Sequence, residues 1–284
     1  MEISLVNKKE SIYIFQLDEK NYIKFCPKRG GIITNWVSDA NEILYFDEKR
    51  FTDKTKSIRG GIPILFPICG NLDIPTSFFG KNYMQLMQHG FARDLQWEYC
   101  FNDKKEALCL KLKDNEITKL YYPYNFDLII EVSLKINCLK FEVTIKNNSI
   151  KEMPINFGLH PYFNISDFKN LDFLDFSLNC QNQQNNCLRN TFDELQNIQN
   201  GIDLLMHSSG RSSFRDNFFK RKITLINPSP FDLCVIWSDP PRKMVCLEPW
   251  TSPRNSLIDG FRKILIPPDF SQALHASIQI NSFT

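Results

Sequence analysis

The sequence carries very little net charge, because 34 Lys and Arg residues oppose 32 Asp and Glu residues and leave +2 over 284 residues. Non-specific nucleic-acid binding needs an excess of basic residues to displace counterions, so this composition argues against it. No apolar run approaches the roughly 20 residues that a membrane-spanning helix requires. The first residues, MEISLVNKKES, lack the apolar core and cleavage site of an export signal. We therefore expect a soluble, cytoplasmic protein with neither a nucleic acid nor a membrane as its partner.

The sequence also lacks the spacings that are typical of metal and hydrolase sites. The nine cysteines are odd in number and include no CxxC pair, so we expect reduced thiols. The four histidines show neither HxH nor HExxH spacing, and no GxSxG elbow occurs. These patterns give no support for a metal centre or for a serine hydrolase.

Short β-like segments dominate what is present. Runs such as SIYIFQL, NYIKFC, ALCLKLK and FDLCVIW are rich in Ile, Val, Phe and Tyr, and turn residues bound them. The stretch EVSLKINCLKFEVTIKN predicts a hairpin that turns near Asn137. No segment keeps a helical apolar period over three turns. The sequence therefore predicts an all-β protein with an antiparallel sandwich or barrel.

No segment is typical of a linker between domains. Residues 179–201 are polar and rich in amides, so we interpret them as a long surface loop inserted between strands. We accordingly predict one domain over residues 1–284.

Four segments combine Gly and Pro with charged or titratable residues. They are IRGGIPILFPICGN (58–71), QHGFARDLQWE (88–98), NFGLHPYFN (156–164) and VCLEPWTSPRNS (245–256). Turn-forming residues fix a backbone, and functional polar groups concentrate on loops that are held in this way.

Two titratable residues in these segments are candidates for proton transfer. His160 lies between Gly158 and Pro161, and Glu248 lies between an apolar run and a Pro-Trp pair. A buried, unpaired carboxylate is costly, and desolvation raises its pKa toward the range useful in catalysis. The alternatives are a packed structural histidine and a glutamate that faces water.

Charged residues in two further segments are candidates for anion binding. Arg59 precedes two glycines, and Arg93 follows His89 in QHGFAR. The arginine fork suits a carboxylate or a phosphate. The alternative is that both arginines are solvated on the surface.

Taken together, the four motifs, in this order and at these spacings, resemble the aldose 1-epimerase (mutarotase) superfamily, most nearly its hexose-6-phosphate branch. The resemblance implies a large antiparallel β-sandwich, the galactose mutarotase-like supersandwich, with a substrate cleft on one face. It also implies interconversion of the α and β anomers of a hexose or hexose 6-phosphate. It assigns His160 and Glu248 as catalytic residues. The positions that it assigns to substrate binding are Arg59, Gln88, His89, Arg93 and Asp203.

In the implied chemistry, Glu248 takes the proton of the C1 hydroxyl while His160 protonates the ring oxygen, and the roles reverse when the ring closes. No hydride moves and no phosphate bond breaks, so we predict neither a cofactor nor a metal. The partner would be a small sugar or sugar phosphate. Three alternatives stay open: a mutarotase for unphosphorylated galactose or glucose, a non-catalytic carbohydrate-binding protein, and a structural β-sandwich.

Overall fold

The computed structural model describes residues 2–283, which form 23 strands and short helical turns. The strands of the first half are β1 (Glu2–Asn7), β2 (Ile12–Asp18), β3 (Asn21–Cys26), β4 (Ile32–Ser38), β5 (Asn41–Glu42), β6 (Ile64–Leu65), β7 (Glu98–Asn102), β8 (Ala107–Lys113), β9 (Phe126–Lys135), β10 (Cys138–Asn147), β11 (Met153–Ile155) and β12 (Gly158–Leu159). Those of the second half are β13 (Tyr162–Asn164), β14 (Leu171–Leu174), β15 (Asn179–Asn182), β16 (Cys187–Asn190), β17 (Asp203–His207), β18 (Arg211–Asp216), β19 (Arg221–Ile226), β20 (Leu233–Trp237), β21 (Met244–Trp250), β22 (Ile264–Ile266) and β23 (Ser271–Ser282). The helices are α1 (Glu48–Thr52), α2 (Glu116–Lys119), α3 (Thr191–Leu195) and α4 (Ser256–Asp259), and 3₁₀ turns occur at Ala92–Asp94, Phe168–Asn170 and Ile198–Asn200.

Two large antiparallel sheets dominate the fold, as the sequence predicts. The first, which we call the back sheet, has the strand order β14-β18-β19-β23-β10-β9-β8-β7. The second, the front sheet, has the order β16-β15-β17-β20-β21-β12-β6, and β13 also pairs with β21. A five-stranded sheet of β1 to β5 and a β11–β22 ribbon complete the fold. The prediction of an all-β antiparallel sandwich is confirmed.

Alternating side chains explain how the two large sheets pack. In β9 and β10 every second residue is buried, and the strands pair in register around a turn at Asn137, where φ is 59°. The predicted hairpin is therefore confirmed. The inner faces of the two sheets share one hydrophobic cluster, which includes Ile130, Val132 and Val143 from the back sheet and Leu204, Ile236 and Leu247 from the front sheet. Burial of such side chains is the main stabilising contribution to the fold.

The central strand β21 of the front sheet is buried on both of its faces. Val245 and Leu247 belong to the shared core. Successive side chains of a strand point to opposite faces, so Cys246, Glu248 and Trp250 lie on the outer face of the sheet. The candidate site lies on that outer face.

The prediction of a long surface loop over residues 179–201 is wrong. This segment forms the β15–β16 hairpin, helix α3 and a 3₁₀ turn at the edge of the front sheet. Buried Cys180 and Leu195 anchor it to the core, and Asn190 caps α3 by accepting hydrogen bonds from the N–H groups of Phe192 and Asp193. Amides therefore serve here as caps and turn residues within an ordered segment. The single domain over residues 1–284 stays a prediction.

Between residues 2 and 283, the structure contains no helix with the length and apolar character needed to cross a membrane.

Candidate active site

A cleft of about 180 Å³ lies on the outer face of the front sheet. It is lined by Ser57, Arg59, Gln88, His89, Arg93, His160, Tyr162, Asp203, Val235, Trp237, Glu248, Trp250 and Arg254. All seven residues that the sequence analysis singled out are in this lining. The structure therefore brings together residues that lie as far apart in the chain as positions 59 and 248.

His160 and Glu248 meet at the floor of the cleft, although 88 positions separate them in the sequence. The strands β12 and β13 both pair with β21, with Gly158 opposite Trp250 and Tyr162 opposite Cys246. His160 lies between these two pairs and therefore faces Glu248. The distance from its Nε2 to Oε1 of Glu248 is 3.3 Å.

The His160 ring is held by packing and by its backbone. It stacks on Tyr162, with ring centroids 4.6 Å apart and planes 8° apart, and its backbone N–H donates to the carbonyl of Pro63. Its Nδ1 is buried and has no hydrogen-bond partner within residues 2–283. Burial lowers the pKa of His160 well below its ordinary value, and the positive charges of Arg93 and Arg59 lower it further. The imidazole is therefore neutral near pH 7.

Glu248 is a buried carboxyl group with one hydrogen-bond donor. Its side chain is 2% exposed, and its Oε2 accepts a hydrogen bond of 3.1 Å from the indole Nε1 of Trp250. Burial raises the pKa of Glu248 well above its ordinary value, and the charge of nearby Asp203 raises it further. The hydrogen bond from Trp250 acts in the opposite direction. Both members of the pair are therefore driven toward their uncharged forms.

His89 lies against His160, with ring centroids 5.7 Å apart. Its Nδ1 accepts a hydrogen bond from the backbone N–H of Gly70, so the proton of the neutral ring is on Nε2. Burial lowers the pKa of His89 well below its ordinary value, and His160 contributes further. The backbone has φ of 66° at His89 and 72° at Gly90, so two successive left-handed residues turn the ring into the cleft.

Three arginines line the cleft, and each has a carboxylate neighbour. Nε of Arg59 lies 3.3 Å from Asp239, and Nε of Arg93 lies 3.7 Å from Asp94. Arg59 also stacks over the Trp237 ring at 5.2 Å. Gln88 is exposed at the rim. The guanidinium groups are partly open to solvent, which leaves donors free for a ligand.

Asp203 and Arg254 form the third of these pairs, with 2.7 Å between Oδ2 and Nη2. Oδ1 of Asp203 accepts a further hydrogen bond from Gln183. Burial raises the pKa of Asp203, and Arg254 opposes this rise. Arg254 was not among the predicted site residues, although it belongs to the segment VCLEPWTSPRNS. Its position six residues beyond Glu248, next to Pro253, is the signal that could have identified it.

The aromatic lining was also missed. Trp237 lies directly opposite Cys246 in the β20–β21 pairing, so it shares the face of Glu248. Trp250 is on the same face, two residues beyond Glu248. Strand alternation around Glu248 predicts both positions once β20 and β21 are paired.

A buried histidine and a buried glutamate thus meet at the floor of a polar cleft on the outer face of an antiparallel sheet, and comparison with known proteins identifies the family. The sequence model described as "Aldose 1-epimerase" matches residues 14–269, and the chain belongs to that family. The solved structure of a protein from Synechocystis sp. PCC 6803 is 32% identical and superposes with a TM-score of 0.90, with 100% of each chain covered.

Two further matches are less similar in sequence. A galactose mutarotase-like protein from Clostridium acetobutylicum shares the fold with a TM-score of 0.81 at 17% identity, with 99% of this chain and 98% of that chain covered. A protein named "Putative glucose-6-phosphate 1-epimerase" from Salmonella typhimurium is 28% identical over 148 residues, which are 50% of this chain and 45% of that protein. The chain thus spans about half the length of the curated relatives it matches first.

Proposed function

We propose that the chain interconverts the α and β anomers of a hexose 6-phosphate by acid–base opening and closure of the sugar ring. The observation that carries this proposal is the 3.3 Å contact between His160 Nε2 and Glu248 Oε1 at the floor of a polar cleft. Membership of the aldose 1-epimerase family supports the reaction, and the names of the curated relatives support the substrate class.

The proximity of the pair suits the chemistry of a hemiacetal. The C1 hydroxyl oxygen and the ring oxygen are bonded to the same carbon, so a base and an acid that serve them must both reach the same end of the sugar. Glu248 takes the proton of the C1 hydroxyl and His160 gives a proton to the ring oxygen. After rotation about C1–C2, His160 takes that proton back and Glu248 returns the other. Each transfer contributes about 10²–10⁴ in rate.

The electrostatics of the pair match the open-chain stage of this cycle. The uncharged pair first passes the carboxyl proton of Glu248 to Nε2 of His160 across their 3.3 Å contact, and ring opening then converts the resulting carboxylate and imidazolium back into a carboxylic acid and a neutral imidazole. Burial raises the pKa of Glu248 and lowers the pKa of His160, so it favours that uncharged state. The site therefore stabilises the protonation state that accompanies the open sugar.

His89 and Asp203 are suited to holding the sugar. The Nε2–H of His89 is available as a donor in the cleft, because its Nδ1 is occupied by Gly70. Asp203 is fixed by two donors and keeps acceptor capacity for a hydroxyl group. We assign Arg59, Gln88 and Arg93 to the phosphate end of the substrate, since all three line the same cleft.

Mutarotation of an unphosphorylated hexose is the second candidate. Each of the three arginines in the cleft already has a carboxylate within 4.0 Å, which offsets part of its charge toward a phosphate. A neutral sugar needs only hydrogen bonds from the same groups.

Anomer exchange measured by NMR tests the proposal. We expect the chain to accelerate exchange for glucose 6-phosphate more than for glucose at equal concentration. Equal or faster exchange for glucose would favour the second candidate. A folded protein that binds either sugar without accelerating exchange would support a carbohydrate-binding protein instead.

A further inference from the structure

Cys246 lies beside the His160–Glu248 pair and has no part in the proposed chemistry. It precedes Glu248 by two residues on β21, so strand alternation places both side chains on the same face. Tyr162 and Met244 cover it, and it is fully buried. Its Sγ and the ligand atoms of His160 and Glu248 all lie within 4.8 Å of one another.

We propose that His160, Cys246 and Glu248 form a Zn²⁺ site, and that the ion blocks the cleft when it binds. The three side chains supply imidazole, thiolate and carboxylate, which are the ligand types that Zn²⁺ takes in proteins. Three protein ligands leave a fourth tetrahedral position for water or a sugar hydroxyl.

The distances fit this ion. Nitrogen and oxygen ligands at about 2.0–2.2 Å in a tetrahedral array lie about 3.3–3.5 Å from each other. The separation of 3.3 Å between Nε2 of His160 and Oε1 of Glu248 agrees with this value. With a Zn–S bond of about 2.3 Å, sulfur belongs about 3.6 Å from each of these atoms. The Sγ of Cys246 lies within 4.8 Å of the ligand atoms of His160 and Glu248, so it has to approach them by at most about 1.2 Å when the ion binds.

The charges also fit. Thiolate and carboxylate together neutralise the two charges of the ion in a buried setting, where uncompensated charge is costly. Cys246 and Glu248 are two residues apart on a strand, a spacing that differs from the HExxH and CxxC patterns of known metal sites. The sequence alone therefore did not predict a metal site here.

The site has the features of a reversible inhibitory centre. A histidine that holds a resident metal donates its other ring N–H to an acceptor, whereas Nδ1 of His160 has no such partner in the described part of the chain. Occupancy would engage Nε2 of His160 and the Glu248 carboxylate, and neither could then transfer a proton. This blocking role rests on the proposed function, but the metal site itself does not.

Direct binding tests the site independently of activity. Zn²⁺ affinity is measured by competition with a chromophoric chelator, and Co²⁺ is used as a probe because a thiolate ligand gives it a charge-transfer band in the near ultraviolet. We expect that band in the wild type. Substitution Cys246→Ala should abolish it and lower Zn²⁺ affinity by more than the roughly 10–100-fold that loss of an outer partner causes. The exposed Cys187 provides the matched control, and Cys187→Ser should leave both readouts unchanged.

Unchanged Zn²⁺ affinity in folded Cys246→Ala, or a wild-type Co²⁺ adduct without a thiolate band, would overturn the proposal. If Cys246→Ala does not fold, Cys246→Ser takes its place in the experiment. Persistence of the band in Cys187→Ser shows that the thiolate ligand is a cysteine other than Cys187. Inhibition of anomer exchange by Zn²⁺, with reversal by a chelator, supports the blocking role. Zn²⁺ binding at Cys246 with full exchange activity would overturn that role and leave the site itself standing.

Discussion

The indole Nε1 of Trp250 donates a 3.1 Å hydrogen bond to one carboxylate oxygen of Glu248, while the other oxygen lies 3.3 Å from His160. The two oxygens therefore have different surroundings. Oε2 is occupied by the indole, and Oε1 faces the imidazole and the cleft. Under the proposed function, Oε1 is therefore the oxygen that exchanges the proton with the sugar.

Trp250→Phe should move the alkaline limb of the pH profile to higher pH. The hydrogen bond from Trp250 lowers the pKa of Glu248, so its removal lets that pKa rise further. The pair then keeps its last proton to higher pH. The measurement is kcat/KM for anomer exchange as a function of pH. A lower kcat/KM with an unmoved alkaline limb would mean that Trp250 acts only by packing.

Asp203→Asn should move the same limb in the opposite direction. The negative charge of Asp203 raises the pKa of Glu248, and the substitution removes it. The released Arg254 acts in the same sense, since its charge also lowers that pKa. The two variants serve as controls for each other, because the alkaline limb should move in opposite directions in Asp203→Asn and Trp250→Phe. Shifts of the same sign in both variants would contradict the assignment of the limb to Glu248.

His160→Ala and Glu248→Gln should each lower kcat by about 10²–10⁴ and should not combine additively in the double variant, because the two groups act as a unit. Circular dichroism and thermal unfolding establish that the variants are folded. Either single variant with ordinary activity would exclude the residue from catalysis. A double variant whose loss equals the product of the single losses would contradict the shared proton cycle.

The acid limb should lie below the ordinary histidine pKa of about 6.5. Burial lowers the pKa of His160, so the imidazole stays neutral until the pH falls below this lowered pKa. Only at such a pH does the pair take up a second proton and become inactive. The profile with glucose 6-phosphate is corrected for the substrate phosphate, which itself titrates near pH ~6. A corrected acid midpoint at or above 6.5 would contradict the neutral imidazole.

Gly90→Ala should be much more destabilising than Gly80→Ala. Both glycines have positive φ, 72° and 106°, so both substitutions carry a backbone cost of about 1–2 kcal/mol. A Cβ on Gly90 would lie 2.1 Å from the carbonyl oxygen of Phe66, whereas a Cβ on Gly80 meets nothing within 4 Å. We expect at least about 3 kcal/mol of lost stability for Gly90→Ala. Urea unfolding of the two variants measures the difference, and equal losses would contradict the steric argument.

Local patterns explain which strands were predictable. Alternating β-branched and aromatic residues marked β9, β10 and β20, and the structure confirms them. The longest strand, β23, was missed although it lies in the middle of the back sheet between β10 and β19. Its sequence, SQALHASIQINS, is rich in Ser, Gln and Ala, and only its alternation of buried residues indicates a strand. Pairing with neighbouring strands fixes the conformation of such a segment when the strand propensity of its residues is low.

The site was predictable in its residues but not in its geometry. Motif order supplied His160 and Glu248, whereas their contact depends on β12 and β13 both pairing with β21. Arg254 was missed because a long-range partner, Asp203, defines its position. A single sequence carries little information about pairs that are joined only by sheet register.

The two faces of β21 are under different constraints, because one packs in the core and the other carries residues of the cleft floor. Substitutions at Val245 or Leu247 are expected to change the stability of the fold, because both side chains belong to the shared core. Substitutions at Cys246, Glu248 or Trp250 are expected to change the proposed site on the outer face. Substitutions on the outer face can therefore reshape the cleft while the inward-facing residues of the same strand keep the two sheets packed.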